Sequence, residues 1–357
     1  MLRYLNGFDY WPNGGATANA IADGWFGNTT TLSGSSPGRF GKGLCGQISV
    51  GGVTSVNVYQ ALGQRFTTET CVIGQALFIP TASLLPGGSY FFYAYDAEGN
   101  VGDQIAIEFT EDGVIRAYRG GTLIATTGNN VFHLNEWFWF ELKLKVHNTS
   151  GIIEVRINTV TVISFTGDTH SGTPVLSLPY GWDTIHYLVP PSGSTTILYM
   201  DDIYILDNTG SHNTDYLGNT RVNTQLTISA GDLTQFSLVG AAANWDAVND
   251  TALNDSEYVY SGTVGQEDLY TMNPNVAAQN IFGVQVRGAY RQDDSTQIVA
   301  HNILKTGGTI YEGGDQYLSG SYRYYRDIWE LNPHSGVGWV SADLNAIQAG
   351  TKVQSIG

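Results

Sequence analysis

The chain is poor in charge, in cysteine and in long apolar runs, and each shortage removes a class of function. Only 13% of its 357 residues are charged, and cations are the scarcer sign: 16 Lys and Arg against 32 Asp and Glu leave a formal net charge of −16. A nucleic-acid binder needs a basic footprint to displace phosphate counterions, and so does a protein that docks on anionic lipid. Neither nucleic acid nor membrane is therefore an expected partner. The two cysteines, Cys45 and Cys71, are too few for a disulfide-stapled secreted scaffold. Free, buried thiols are expected, with a single bridge between them as the alternative. The opening residues MLRYLNGFDYW hold no apolar run long enough for a signal peptide, and no segment has the length needed to span a bilayer. The expectation is synthesis and folding in a cytosol, where the sequon Asn148-Thr-Ser implies no glycosylation.

Catalytic and cofactor motifs are equally sparse. The seven histidines are scattered, with no HxxxH or CxxC, so zinc is not expected and each histidine reads as a surface or turn residue. The glycine runs join strands instead of opening helices, which makes them turns and not phosphate cradles. No G-x-S-x-G elbow occurs. Glycoside hydrolysis needs two carboxylates flanking the scissile bond, roughly 5–10 Å apart. No strand shows alternating acids: Glu141 is in line with Lys143 and Lys145, and the adjacent Asp201 and Asp202 point to opposite faces. The chain is expected not to be an enzyme. No cofactor is expected either. Calcium is the weakest exclusion, because Asn244–Asp250 and Asn254–Glu257 are rich in oxygen ligands, with Asp207, Asn208 and Asp215 a lesser cluster. Neither has EF-hand spacing, and solvated loops are expected.

What is abundant is glycine (44 residues) and aromatic side chains (12%), a composition that favours all-β architecture with many turns. Period-two alternation dominates. In EWFWFELKLKV, residues 136–146, Phe138, Phe140, Leu142, Leu144 and Val146 share one face, and Trp137, Trp139, Glu141, Lys143 and Lys145 share the other. With Ile153, Val155 and Ile157 beyond the turn, this predicts a hairpin with one buried and one mostly wet face. Short strands are also expected at Tyr90–Tyr95, Gln104–Thr110, Val114–Arg119, Thr122–Thr126, Val160–Phe165 and Thr196–Leu206. The polar, turn-rich stretch Asp207–Thr220 marks a domain boundary. A second β pattern runs from Arg221 to a closing strand near Gln348–Gln354, with one short helix opening at Ser341. Many short strands at regular spacing predict sandwich or jelly-roll folds.

Aromatic residues on the outer strand face are candidate sugar platforms, which singles out Trp137 and Trp139. The run Tyr322–Trp329, with Tyr324, Tyr325 and Arg326, has the Tyr, Trp and Arg content of a subunit interface.

Several short motifs in a fixed order also carry a family resemblance. Leu5-Asn6-Gly7-Phe8-Asp9-Tyr10 resembles the opening GFD strand of a group of tailed-bacteriophage virion proteins, and Gly38-Arg39-Phe40-Gly41-Lys42-Gly43-Leu44 resembles their GRFGG segment. Trp137–Ile157 is similar to the long hairpin of concanavalin A-like (laminin G-like) jelly rolls. Asp201–Ile205, Gly210, Asp215–Gly218 and Arg221-Val222 resemble the junction where the lectin-like domain of that group ends. Trp329–Pro333, Trp339, Asp343–Asn345 and Gly350–Val353 resemble its closing region. The resemblance implies a concanavalin A-like jelly roll over residues 1–215 and a smaller β-sandwich over 216–357. It further implies a non-enzymatic structural subunit of a virion (tail, fibre or capsid decoration), assembled in the host cytoplasm with other phage structural proteins. A homo-oligomer, with a trimer favoured, is expected. The alternative is a glycan-binding module that attaches the particle to host-surface polysaccharide.

Overall fold

The computed structural model describes the chain except for residues 52–53, 82–87, 98–101, 173–178, 192–194, 254, 275–276 and 278–279. It separates into two units, Met1–Val222 and Asn223–Gly357.

The first unit is built from two antiparallel sheets. One has nine strands among the described residues. Its main path runs Val160–Gly167, Gly151–Ile157, Trp137–Lys145, Cys71–Phe78, Thr195–Asp207, Cys45–Gly51, Leu32–Ser35 and Gly14–Gly15, and Leu2–Asn6 also pairs with Thr195–Asp207. The other has seven, in the order Thr122–Thr126, Ile115–Arg119, Gly102–Thr110, Ser89–Asp96, Trp182–Val189, Val56–Phe66 and Trp25–Gly27. Period-two alternation turns one face of each sheet inward. Phe140 of the larger sheet meets Phe92 and Phe109 of the smaller one at ring-centroid distances of 5.5 and 5.2 Å. Ile105, Ile107, Ile115, Ile185 and Val189 complete that inner face and are fully buried. This is the expected concanavalin A-like jelly-roll sandwich. Cys45 and Cys71 are unbridged and buried in it.

Two expectations need correction. The first is the wet face of the Trp137–Lys145 strand. Trp139 and Glu141 are both 0% exposed, because chain from elsewhere covers that face. Tyr204 stacks on Trp139 (6.1 Å, 29°) and the Arg39 guanidinium lies 5.0 Å from the Trp139 ring centre. The second is the unit boundary, expected at 215/216. Residues 216–222 stay with the first unit because their backbone is tied down there. Gly218 N–H donates to Glu141 Oε1 (3.0 Å) and Val222 N–H to Asp202 Oδ1 (2.8 Å). Arg39, itself paired to Asp202 at 3.1 Å, donates to the Thr220 carbonyl at 3.3 Å.

The second unit has a six-stranded antiparallel sheet among the described residues. Its path is Thr227–Thr234, Glu267–Met272, Gln348–Ile356, Ile298–Thr306 and Thr309–Glu312, with Gln316–Tyr317 also pairing to Ile298–Thr306. The expected strand at Arg221–Ser229 begins only at Thr227. Two two-stranded ribbons accompany the sheet, Ser237–Val239 with Tyr258–Tyr260 and Val284–Tyr290 with Arg323–Trp329. Val286, Leu304, Trp339, Leu344, Ile347 and Ala349 form a core beneath the second ribbon.

Candidate functional site

The outer face of the seven-stranded sheet carries a row of rings. Strand registry sets Phe26 beside Tyr59, Tyr59 beside His186, His186 beside Tyr93, Tyr93 beside Ala106, and Ala106 beside Tyr118. All of these alternate with core residues, so they share the solvent side. Successive rings stack face to face: Phe26 on Tyr59 at 4.9 Å and 12°, Tyr59 on His186 at 4.2 Å and 19°, His186 on Tyr93 at 4.5 Å and 12°. Spacings this close to the strand separation mean that the ring planes stand up from the sheet and show their edges to solvent.

The row is broken once. At Ala106 there is no ring, and a cavity of about 520 Å³ opens there, walled by Tyr93, Tyr118 and Phe91 and bounded by Asp103, Gly120 and Ser171. Neighbouring strands lie about 4.8 Å apart, so the positions of Tyr93 and Tyr118 are roughly 9.6 Å apart across Ala106. A flat ring needs about 3.5–4.0 Å of van der Waals distance on each face, so one ring fits between the two walls. Gly120 holds the far rim open at a φ of +52°, and a Cβ there would lie 2.3 Å from Ser171 Oγ.

Polar groups around the slot are held in place. His186, only 5% exposed, donates from Nε2 to Asn57 Oδ1 at 2.9 Å, and its Nδ1 lies 3.4 Å from Asp103 Oδ1. Glu108 accepts from Ser89 Oγ (2.6 Å), Tyr118 Oη (2.6 Å) and Arg116 Nη1 (3.0 Å). Burial opposes the charge on Glu108, but these donors outweigh it and hold the carboxyl below its ordinary range. Burial, followed by the nearby Asp103 carboxylate, pushes the Tyr93 phenol well above its ordinary range. Tyr93 therefore stays a neutral ring and a hydroxyl donor at ordinary pH.

No family model matches this chain, and no curated protein matches it. Solved structures similar in shape do exist. Alginate lyase Aly36B aligns at 11% identity over 56% of this chain and 95% of its own, with a TM-score of 0.43. Alginate lyase vAL-1 from Chlorella virus aligns at 13% over 58% and 100%, with a TM-score of 0.36. A legume lectin-like domain from Entamoeba histolytica aligns at 12% over 54% and 94%, with a TM-score of 0.34. These likenesses are of the sandwich alone. They overturn one expectation, that the chain is not an enzyme: lyases as well as lectins are built on such sandwiches, and the absence of a paired-acid strand does not exclude catalysis. None of them bears on a virion role.

The residues singled out from sequence lie elsewhere. Trp139 cannot stack on a sugar because it is fully buried under Tyr204 and Arg39. Trp137 is half-buried against Phe78 at 5.6 Å, on the sheet opposite the slot. In the second unit, Tyr322 Oη donates to Asp255 Oδ1 (3.0 Å) and Tyr325 Oη to the Tyr317 carbonyl (3.0 Å). The Arg287 guanidinium lies 5.2 Å from the Tyr324 ring centre, and the Trp329 carbonyl accepts from Trp339 Nε1 at 2.8 Å. Arg326 is half-buried on the same strand, opposite Arg287. Of the oxygen-rich stretch, Asn244 is buried and donates to Asp268 Oδ2 (2.6 Å) and to the Phe236 carbonyl (3.0 Å). Asn254 lies outside the described residues.

Sequence reasoning passed over His186, Tyr59, Tyr93 and Tyr118. His186 was expected at the surface or in a turn, whereas it sits mid-strand in a ring stack. One signal was available. Ser89–Asp96 reads SYFFYAYD, with aromatics on both alternations, and a strand that needs rings on its outer face has a use for them there.

Proposed function

We propose that the outer face of the seven-stranded sheet binds a saccharide, with one sugar ring seated in the slot over Ala106. The observation that carries this reading is the single interruption of the ring row. A pyranose presents C–H faces to aromatic walls and hydroxyls to its rim, and the slot offers aromatic walls with a carboxylate and hydroxyls at the edge. A wholly apolar ligand would strip water from Asp103 without replacing its hydrogen bonds.

Filling the gap tests the reading. Ala106→Phe completes the row from the solvent side, so the fold should persist with a thermal midpoint at or above that of the parent. Binding on a glycan array, scored beside Tyr93→Ala, should be lost in both variants. A folded Ala106→Phe protein that binds like the parent would remove the slot from consideration. Product analysis of the same mixtures reads out whether a bound chain is also cleaved. The sequence resemblance to phage virion proteins would place this site on a particle surface, with host polysaccharide as its ligand. Quantitative mass spectrometry of purified particles tests that setting.

A further inference from the structure

The charges around the slot narrow its ligand. Among the described residues, no Lys or Arg lines the slot, and the two arginines on the strand that carries Tyr118 are already engaged. Arg116 pairs with Glu108 at 3.0 Å, and Arg119 pairs with Asp168. Asp103, with its side chain 37% exposed, lines the cavity. Asp103 is thus the one charged side chain lining the slot among the described residues, and the chain as a whole carries a net charge of −16. A carboxylated sugar placed between Tyr93 and Tyr118 would meet Asp103, with no cation among the described lining residues to receive it. Freeing Arg116 would leave Glu108, which is 7% exposed, without one of its three donors.

Resting on the saccharide reading above, we infer that the slot selects uncharged pyranoses and rejects uronic acids. Asp103 supports this in a second way, since a carboxylate beside a sugar accepts hydrogen bonds from hydroxyl groups, and a uronate replaces one such hydroxyl with a second anion. Like charges about 5 Å apart in a partly buried site repel strongly enough to weaken binding roughly tenfold or more.

The test uses the full chain and matched probes that differ only at C6: cellohexaose against its cellouronate hexamer, and mannohexaose against the mannuronate hexamer, by calorimetry at low salt. The expected result is that a neutral member binds at least tenfold more tightly than its acid. Asp103→Asn should narrow that gap, and added salt should narrow it in the parent. If a uronate binds as well as or better than its neutral partner, and Tyr93→Ala abolishes that binding, the slot is a sugar site but the charge inference is overturned. If no probe binds, both readings fall together.

Discussion

Tyr204 Oη donates to Glu141 Oε1 at 2.7 Å across two strands of the larger sheet, with both side chains buried. The same carboxylate oxygen accepts Gly218 N–H at 3.0 Å, and Leu217 N–H donates to Tyr204 Oη at 3.1 Å. Glu141 and Tyr204 therefore form a clasp that pins residues 217–218 to the larger sheet. Burial and the Glu141 carboxylate both push the Tyr204 phenol far above its ordinary range, so it remains a donor.

Glu141→Ala leaves the Tyr204 hydroxyl and the Gly218 amide without their acceptor in a dry site. Stranded buried donors cost about 1–3 kcal/mol each, so a loss on the order of 3 kcal/mol is expected in urea unfolding. Glu141→Gln retains an acceptor oxygen and should lose clearly less. Equal losses for the two variants would show that the carboxylate contributes bulk and not hydrogen bonding.

A second buried acid gives the first unit a pH dependence. Asp201 is pushed up to about 8 by burial and then by the Asp202 carboxylate beside it. In the unfolded chain it titrates near 3.9. Between those values the unfolded state releases a proton that the folded state keeps. Stability is therefore full below about pH 4, falls as pH rises through the window, and levels off above about 8. One such group contributes at most ~1.4 kcal/mol per pH unit. Asp201→Asn removes the titration, and its unfolding free energy should vary less between pH 5 and 8 than that of the parent. Parallel curves for the two proteins would refute the assignment. The comparison is of slopes because Asn also loses one of two acceptors, those for Arg39 N–H (3.0 Å) and Asp202 N–H (2.8 Å).

Strands with one apolar and one polar face were legible from residue pattern alone, as in Gly151–Ile157, where Ile153, Val155 and Ile157 are buried and Glu154 and Arg156 are not. The strands of Tyr93, Ala106 and Tyr118 were legible as strands too, but the two that carry His186 and Tyr59 were not. Trp182–Val189 and Val56–Phe66 carry bulky groups on both faces, so hydropathy does not alternate along them. Tyr187 and Val189 point into the core while His186 and Leu188 point out, and nothing in that order separates a core from a platform. Trp139 and Glu141 misled for a different reason. Alternation gives a residue's face but not what covers that face, and their cover comes from Arg39, Tyr204 and Gly218, distant in sequence. The slot itself is marked only by a small residue, Ala106, whose meaning depends on Tyr93 and Tyr118 in neighbouring strands.

His186 offers the means to separate stacking from hydrogen bonding in the ring row. Its ring lies between Tyr59 at 4.2 Å and Tyr93 at 4.5 Å, while its nitrogens engage Asn57 and approach Asp103. His186→Phe keeps a flat ring in the stack and removes both nitrogens. His186→Ala removes the ring as well and leaves Tyr93 unsupported on the side away from the slot. Aromatic pairs contribute about 0.5–1.5 kcal/mol beyond their burial. Two lost pairs should therefore destabilise the Ala variant by roughly 1–3 kcal/mol, while the Phe variant stays within about 1 kcal/mol of the parent. Saccharide binding should follow the same order, retained in His186→Phe and weakened in His186→Ala, because the wall of the slot depends on the stack behind it. Should the Phe variant lose binding as completely as the Ala variant, the imidazole nitrogens and not the ring would be what the site requires.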